Sequence, residues 1–339
     1  MKRVLLPWPT DKELVEVIRD AEADLEALRK MAEVDIEPVP SEEEWFRRAR
    51  DVYVSMSPNI SFVRYPEFLE SAKELRMIQT ASIGYDRIDV AACTRRGVIV
   101  CNVGEVMAEA VAQHTWGLIL DVSKSITRSD RVMRAGGWRI ENRYGVELYG
   151  KTLGIVGLGD IGGRVALKGR LAFGMRILAY DPYVLPARAQ LYGAQLTDLD
   201  TLLKDSDVIS VHTPLTPETR HLIGRRQFGL MKPTAIFINT SRGQVVDEAA
   251  LIEVLESRRI LGAGIDVFEE EPLDPASPLR RMENVVITPH TSSSTREAFR
   301  NTWKSAVDNI RRFVAGERPN WVVNREVLYL GSSTLLDKS

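Results

Sequence analysis

The sequence predicts an α/β protein built on two parallel sheets, and three observations support this fold class. Short apolar segments alternate with helical patterns along most of the chain, which is typical of parallel sheets with right-handed crossovers. Several apolar segments are continuous rather than alternating, as in strands that are covered on both faces. The length of 339 residues suggests about two domains.

The first hundred residues contain four predicted strands separated by helical patterns. The strands are predicted at residues 4–6, 51–55, 76–80 and 98–101. Helices are predicted at 11–31 and at 87–96, with Gly97 as the glycine that closes the second. A long apolar helix is predicted at about 106–134. Its apolar residues exceed one stripe, so we expect it to be buried on more than one side.

A second series of strands and helices follows. The strands are predicted at residues 152–156, 176–180, 208–211, 235–239, 261–266 and 285–287. Helices are predicted between them at 161–173 and 247–258, and a last helix is predicted at 295–315. The small and polar segment 331–339 is expected to be a mobile tail.

Composition excludes several classes of protein. Apolar residues make up 44% and charged residues 27%, which excludes a disordered chain and a collagen-like fibre. The net charge of −2 offers no overall attraction for nucleic acid. There is no apolar run of about 18 residues, so no membrane span is expected. The only cysteines, Cys93 and Cys101, indicate a reducing compartment, and we expect a cytoplasmic enzyme.

A glycine motif follows the predicted strand at 152–156. Gly157, Gly159 and Gly162 match G-x-G-x-x-G, whose glycines permit a tight turn, close approach of a pyrophosphate and close helix–strand packing. The next predicted strand leads into Asp181, 19 positions after Gly162. A carboxylate there binds ribose hydroxyls and repels a 2′-phosphate. The motif therefore predicts NAD rather than NADP, and the alternative is a glycine-rich turn without a ligand.

Three polar side chains, Arg242, Glu271 and His290, follow the ends of predicted strands in the second series. The carboxyl ends of strands form the ligand crevice of open α/β sheets, so these side chains could converge there. Histidine is a natural proton donor for carbonyl reduction, and a neighbouring carboxylate would orient its ring and favour the charged form. An arginine fork binds a carboxylate and polarises the adjacent carbonyl. The trio predicts a 2-oxo or 2-hydroxy acid as substrate, with no metal.

Ordinary structural roles are the alternatives for these residues. His290 could cap a turn or lie in the core, and Arg242 and Glu271 could be surface charges. The other histidines are expected to have structural roles: His114 in the core or an interface, His212 in packing, and His221 at the surface.

Taken together and in order, the motifs resemble the D-isomer-specific 2-hydroxyacid dehydrogenases, including the glyoxylate and hydroxypyruvate reductases. The resemblance extends from about residue 51 to 315. Its motifs are the glycine block at 151–162, the loop at 212–219, the arginine block at 239–247, the glutamate block at 262–272 and the histidine block at 288–290.

The resemblance implies two Rossmann-like, doubly wound parallel-sheet domains with a cleft between them. The substrate domain would be flavodoxin-like and discontinuous, formed by residues 1–101 and 296–330, and residues 102–295 would bind NAD. Homodimers through the long helix and the segment after it are usual in such proteins, so the partners expected are a small 2-oxo or 2-hydroxy acid and a second copy of the chain.

The resemblance also implies roles for individual residues. Arg242 would bind the substrate carboxylate and carbonyl, and His290, paired with Glu271, would be the acid/base. The backbone N–H groups of Ile83 and Gly84 would meet the substrate carboxylate. Asp266 would hold the nicotinamide carboxamide. The positions implied for cofactor binding are Thr115, Gly157, Gly159, Asp160, Ile161, Gly162, Asp181, Thr213, Pro214, Thr219, Thr240, Ser241, Arg242, Asp266, His290 and Ser292.

Several related activities stay open at this point. The loop at 55–59 has no arginine and the chain lacks room for an extra regulatory domain, and both features argue mildly against 3-phosphoglycerate. Glu271 argues against a formate dehydrogenase, which typically has glutamine there. A phosphite-type dehydrogenase and an NADH-sensing, corepressor-like binding protein share the fold and are the alternatives to reduction of glyoxylate, hydroxypyruvate or a bulkier 2-oxo acid.

Overall fold

The computed structural model describes residues 2–6, 15–16, 18, 22–37, 41–56, 65–139 and 144–330. The chain forms two units. One unit comprises Met1–Met107 with Ser294–Ser339, and the other comprises Ala108–Ser293. The predicted tail at 331–339 and the start of the predicted helix at 11–31 lie outside the described residues.

The first unit contains a parallel sheet with the strand order β2-β1-β3-β4-β5. Its strands are β1 (Lys2–Leu5), β2 (Ala32–Asp35), β3 (Val54–Met56), β4 (Met77–Gln79) and β5 (Ile99–Cys101). The helices between them are α1 (Glu22–Arg29), α2 (Glu42–Ala49), α3 (Tyr65–Ser71) and α4 (Val90–Arg95). This is the flavodoxin-like order, as expected.

Both faces of this sheet are covered, because consecutive strand residues enter different cores. Val4 lies in a cluster with Leu28 of α1, whereas the next residue, Leu5, lies in a cluster with Trp45 and Phe68. Burial on both faces explains why Val4, Leu5 and Leu6 are consecutive apolar residues, all of them buried.

The predicted long helix is two helices, which corrects the sequence-based expectation. Helix α5 is Ala108–Lys124 and helix α6 is Ile126–Arg134. Ser125 separates them with a left-handed φ of 55°. Helix α5 is buried along much of its length, as expected, whereas none of the residues of α6 is buried.

The second unit contains a parallel sheet with the order β12-β11-β10-β9-β6-β7-β8. Its strands are β6 (Thr152–Val156), β7 (Arg176–Tyr180), β8 (Ala194–Leu196), β9 (Val208–Val211), β10 (Ile236–Asn239), β11 (Gly262–Ile265) and β12 (Val285–Ile287). Its further helices are α7 (Asp160–Phe173), α8 (Pro186–Leu191), α9 (Leu199–Asp205), α10 (Arg225–Leu230) and α11 (Glu248–Glu256). The strand order reverses between β6 and β9, and the ligand crevice of such sheets lies at this switch point.

Strand β10 shows how the second sheet is covered. Ile236 and Ile238 lie in one apolar cluster, and Phe237 between them lies in another. The two clusters fix the register of the strand, so that its carboxyl end and the loop after it are held firmly.

The chain returns to the first unit in helix α12 (Arg296–Val314), which is followed by the short helix α13 (Val327–Leu330). Thr295 caps α12 by accepting a hydrogen bond from the Ala298 N–H. Trp303 and Ile310 bury one face of α12 in the cluster that contains Val4.

The predicted α/β class with two parallel sheets is confirmed. Strands β2 and β8 were not predicted. In the described part of the chain, no helix has the length and apolar character needed to cross a bilayer.

Candidate active site

The glycine loop joins β6 to α7 and forms an open cradle. Gly157 has a left-handed φ of 93°, and a Cβ on Gly162 would lie 2.1 Å from the Gly157 carbonyl oxygen, so a side chain there would push helix and strand apart. Gly159 precedes α7 and offers no side-chain cap, and a Cβ on it would meet nothing within 4 Å. The first turn of α7 therefore has uncapped N–H groups beside free space, which fits a pyrophosphate.

Asp181, directly after β7, lies beside this cradle. Its carboxylate accepts hydrogen bonds from the backbone N–H groups of Leu158 at 2.9 Å, Tyr183 at 2.9 Å and Val184 at 3.2 Å. An ionised carboxylate accepts about four hydrogen bonds, so capacity remains for a ribose hydroxyl. The predicted acid thus also fixes the glycine loop to the end of β7.

His290 and Glu271 are in direct contact. His290 Nδ1 lies 2.8 Å from Glu271 Oε2, and Glu271 Oε1 accepts a hydrogen bond from the Phe268 N–H at 3.1 Å. Burial disfavours ionisation of Glu271, but the hydrogen bond and charge of His290, the Phe268 N–H and the charge of Arg242 outweigh it, and the pKa of the carboxyl is lowered. Glu271 is therefore a carboxylate that orients the imidazole.

Arg242 follows β10 and is held by a side chain that the sequence analysis did not single out. Asn239 is buried, and its Oδ1 accepts hydrogen bonds from the N–H and hydroxyl of Ser241 while its Nδ2 donates to the Arg242 carbonyl at 3.0 Å. An asparagine that bonds to the backbone two residues later is a common turn device. The asparagine three positions before Arg242, in the sequence Asn-Thr-Ser-Arg-Gly, was the feature from which this turn could have been predicted.

The loops that carry Arg242 and Glu271 touch each other. A Cβ on Gly243 would lie 1.9 Å from the Phe268 carbonyl carbon, so the two backbones meet at a distance that only glycine allows. Gln244 Nε2 also donates to the Glu269 carbonyl at 2.6 Å. These contacts set the spacing between the predicted arginine and the predicted glutamate.

Asp266 is completely buried and holds the loop that carries His290. Its Oδ1 accepts from the Thr288 hydroxyl at 2.6 Å and the Thr291 N–H at 2.9 Å, and its Oδ2 accepts from the Ser292 N–H at 2.9 Å. The Asp266 carbonyl accepts the His290 N–H at 2.8 Å. The structure thus brings Asp266, Ser292 and His290 together through the backbone.

Comparison with known proteins decides the family. Residues 116–292 match the family described as D-isomer specific 2-hydroxyacid dehydrogenase, NAD binding domain. The chain is 41% identical over 317 residues to a glyoxylate reductase of Aeropyrum pernix, and the match covers 90% of this chain and 93% of that protein. The chain belongs to the D-isomer specific 2-hydroxyacid dehydrogenase family.

Two further similarities describe the range of this family. A D-3-phosphoglycerate dehydrogenase of Methanocaldococcus jannaschii is 39% identical over 301 residues, which are 88% of this chain and 57% of that protein. The structure of an Aquifex aeolicus D-lactate dehydrogenase with NAD and lactic acid is similar at 31% identity, with a TM-score of 0.77 and coverage of 93% of this chain and 96% of that one. The present chain is thus an NAD-dependent oxidoreductase that acts on the CH–OH group of 2-hydroxy acids.

Two pairs of the other predicted cofactor positions of this dehydrogenase are in contact. The Thr115 hydroxyl lies 2.9 Å from the Thr240 hydroxyl, and both residues are buried. Thr213 Oγ1 is buried and has no hydrogen-bond partner among the residues that the structure describes, which suits a position that a ligand completes. Thr219 Oγ1 bonds to the carbonyl of Pro214 at 2.7 Å and so fixes this loop.

Two residues of the glycine loop have different surroundings. The carboxylate of Asp160 pairs with Arg188 at 2.7 Å, so its charge is balanced at the pyrophosphate cradle. Ile161 is half-buried and packs against one of the two apolar clusters of the second unit.

The substrate loop implied by the resemblance lies in the first unit. The Ile83 carbonyl accepts a hydrogen bond from Asn102 Nδ2 at 3.1 Å, and the Gly84 carbonyl accepts one from the Ser82 hydroxyl at 2.6 Å. The loop is therefore held by its carbonyl groups. Within the described ranges, the N–H groups of Ile83 and Gly84 make no hydrogen bond.

The remaining histidines have the following surroundings. His212 Nε2 lies 2.8 Å from Ser210 Oγ, and burial lowers the pKa of His212 to about 3, so its ring is neutral. His221 pairs with Glu269 at 2.5 Å and is partly exposed. His114 Nε2 lies 3.0 Å from Thr288 Oγ1, a contact that the sequence did not indicate.

Cys93 and Cys101 are free and buried, and burial raises the pKa of each thiol to about 12. Neither is a nucleophile at neutral pH. Among the described residues, no group of three or more His, Cys, Asp or Glu side chains is arranged to hold a metal ion.

Proposed function

We propose that this dehydrogenase reduces a small 2-oxo acid of the glyoxylate or hydroxypyruvate type, with His290 as the proton donor. The observation that carries the proposal is the 2.8 Å contact between His290 Nδ1 and Glu271 Oε2, with the Arg242 charge acting on the same carboxylate. A carbonyl that accepts a hydride needs a proton, and a histidine held by a carboxylate supplies it.

Each residue has a defined task in this proposal. NADH, when bound, supplies the hydride. Arg242 binds the substrate carboxylate with its guanidinium fork and polarises the carbonyl. Glu271 holds the Nδ1–H of His290, so that the proton on Nε2 is the one transferred to the carbonyl oxygen. In the reverse direction, the neutral Nε2 accepts the hydroxyl proton of the 2-hydroxy acid.

The cofactor would lie on the cradle of the glycine loop. The residues proposed to hold it are the sixteen positions named in the sequence analysis. Among them are Asp181 for the ribose and Thr213, whose buried hydroxyl has no partner in the described part of the chain. Asp266 was expected to hold the nicotinamide carboxamide, but it is completely buried. Its direct contact with the cofactor therefore requires a neighbouring group to move.

The first unit would bind the substrate through the Ile83 and Gly84 N–H groups, which is the domain assignment expected from the sequence. The small substrate is supported by the similarity to the glyoxylate reductase of Aeropyrum pernix, which is 41% identical over 317 residues. The cytoplasmic location stays a prediction.

We also propose a homodimer through α6 and the residues after it. Five large apolar side chains in this part of the chain are exposed: Ile126, Met133, Trp138, Tyr144 and Tyr149. Trp138 and Tyr144 are 81% and 88% exposed, and a concentration of exposed apolar side chains in one segment supports an interface there.

A substrate panel tests the proposed reaction. Oxidation of NADH is followed with glyoxylate, hydroxypyruvate, pyruvate, phenylpyruvate, 2-oxoglutarate and 3-phosphohydroxypyruvate, and each reaction is repeated with NADPH. We expect the highest kcat/KM with glyoxylate or hydroxypyruvate and a preference for NADH. The variant Arg242→Lys, which keeps the charge but loses the fork, should raise KM for the 2-oxo acid much more than it weakens NADH binding.

Other outcomes of the panel would contradict the proposal in distinct ways. A preference for 3-phosphohydroxypyruvate would assign the phosphoglycerate activity. A preference for NADPH would overturn the role of Asp181. Absence of turnover with every 2-oxo acid, together with NADH binding, would favour the phosphite chemistry or the NADH-sensing role, and reduction of NAD by phosphite would distinguish these two.

A further inference from the structure

His114 belongs to a chain of hydrogen bonds that ends at the His290 loop. His114 projects from α5 and places Nε2 3.0 Å from the Thr288 hydroxyl. Thr288 in turn donates to Asp266 Oδ1 at 2.6 Å. These three side chains come from α5, from the residue after β12 and from the residue after β11, so they join three elements of the second unit.

The protons of this chain can be assigned by counting donors. A threonine hydroxyl has one proton, and the 2.6 Å distance to Asp266 is in the range of a hydroxyl bonded to a carboxylate. Asp266 Oδ1 and Oδ2 also accept N–H groups from Thr291 and Ser292, as a carboxylate does. With its proton used on Asp266, Thr288 can only accept from His114. His114 therefore carries a proton on Nε2.

The same atoms bracket the proposed proton donor. Thr288 and Thr291 flank the pair Pro289–His290 in the sequence, and both donate a hydrogen bond to Asp266 Oδ1. His290 has a left-handed φ of 53°, and its N–H is accepted by the carbonyls of Asp266 and Thr288. Movement of the Thr288 hydroxyl would therefore move one support of a strained backbone.

We propose that His114 is a positioning residue for the reaction: as an Nε2–H donor it fixes Thr288 and Asp266, and through them the placement of His290. The inference rests on the proposed role of His290. Between the described residues, no hydrogen bond or ion pair joins His114 to Glu271, so the effect of His114 reaches the imidazole through the loop. Asp266 is completely buried and likewise acts on His290 through its hydrogen bonds to the loop.

The test uses variants that remove or restore one donor. His114→Phe keeps a ring without a donor, and His114→Gln keeps an amide N–H at a similar reach. Thr288→Val removes the hydroxyl with little change in shape. Gln113→Ala is the matched control. Gln113 lies on the same helix, its side chain is exposed, and its hydrogen bond in the described part of the chain is to Glu109.

We expect His114→Phe and Thr288→Val each to lower kcat about tenfold to a hundredfold, because small misplacements of a catalytic group have effects of this size. The dissociation constant of NADH should stay within about twofold, His114→Gln should recover most of kcat, and the double variant should lose no more than either single variant. Gln113→Ala should behave as the wild type. Wild-type kcat in His114→Phe, or multiplied losses in the double variant, would overturn the proposal.

A measurement without turnover separates this inference from the proposed reaction. In wild-type protein labelled with ¹⁵N-histidine, the NMR signals of His114 should show a proton on Nε2, and Thr288→Val should shift them. An unprotonated Nε2 would overturn the inference even if glyoxylate is reduced. If no 2-oxo acid is reduced but Nε2 is protonated and coupled to Thr288, the proposed function fails and the hydrogen-bond chain stands.

Discussion

His290 adopts a left-handed backbone conformation, which is uncommon for residues other than glycine, although histidine is among the residues enriched in it. Such a conformation costs of the order of 1–3 kcal/mol and persists where surrounding contacts hold it. Here two carbonyls accept the His290 N–H, and Glu271 holds the imidazole. The strain is thus located at the group that the proposed chemistry needs.

The ionised state of Glu271 leads to a prediction at the same scale. Because its pKa is lowered in the folded protein, its ionisation adds stability above the pKa of the unfolded chain, and this stability is lost as the pH falls through the lowered value. We expect Glu271→Gln to lower kcat about tenfold or more. The difference in free energy of unfolding between wild type and variant should be largest near neutral pH and shrink towards pH 4.

Steady-state kinetics and urea unfolding at several pH values check this. Glu270→Gln is the control, since Glu270 is an exposed neighbour of the same charge. A Glu271→Gln enzyme with wild-type kcat, or a stability difference that grows as the pH falls, would contradict the assignment.

Single residues also show what a sequence can and cannot predict. The proximity of Arg242, Glu271 and His290 could be predicted because each follows a strand, where side chains of parallel sheets meet. Their catalytic roles stay predictions. Thr288 and His114 could not, because 174 residues separate the two partners and no local pattern indicates their contact. Asp266 was predicted as a cofactor ligand, and only the structure shows that its oxygens serve the loop.

Among the elements, strands with continuous apolar sequences were predicted best. Strands β6, β7, β9 and β12 coincide with the predicted ranges. Strands β2 and β8 lie at sheet edges, are short and include Glu33 or Gln195, so they lack the pattern of a doubly covered strand. The break between α5 and α6 occurs at Ser125, where neither glycine nor proline marks it in the sequence.

The contact between two loops gives a prediction at the scale of elements. A Cβ on Gly243 would lie 1.9 Å from the Phe268 carbonyl carbon, so Gly243→Ala must displace the loop that leads to Glu271. We expect a loss of about 1–3 kcal/mol in free energy of unfolding, as for other overpacked sites. We also expect kcat to fall about tenfold or more because the catalytic groups are displaced.

Gly229→Ala is the matched control for this change. Gly229 lies in α10, and a Cβ on it would meet nothing within 4 Å. Alanine in an open helix position stabilises by up to about 1 kcal/mol. Thermal unfolding and steady-state kinetics of both variants test the prediction. A Gly243→Ala enzyme as stable and active as Gly229→Ala would refute the close approach of the Gly243 and Phe268 backbones.

At the scale of the whole molecule, α6 exposes large apolar side chains to solvent, as expected for a helix that contacts a second copy of the chain. Ile126 and Met133 lie seven positions apart on this helix, so they share a face, and both are about half exposed. We expect light scattering after gel filtration to give twice the mass of one chain. The double variant Ile126→Glu/Met133→Glu should have the mass of one chain.

The control for the dimer is Leu171→Glu, since Leu171 is an exposed apolar residue of α7, outside α6 and the segment after it. It should leave the mass unchanged. A wild-type protein with the mass of one chain would contradict the proposed dimer, as would a dimer that survives both glutamate substitutions.

The proton transfer by His290 is tested by the rate of NADH oxidation with glyoxylate in the wild type and in His290→Asn, with NADH binding measured on both. We expect rapid turnover by the wild type and a loss in kcat of about a hundredfold to ten-thousandfold in the variant, with NADH affinity changed only a few-fold. His221→Asn, which also removes a histidine paired with a glutamate, should keep its rate within a few-fold. A His290→Asn enzyme that retains the wild-type rate would show that His290 does not transfer the proton.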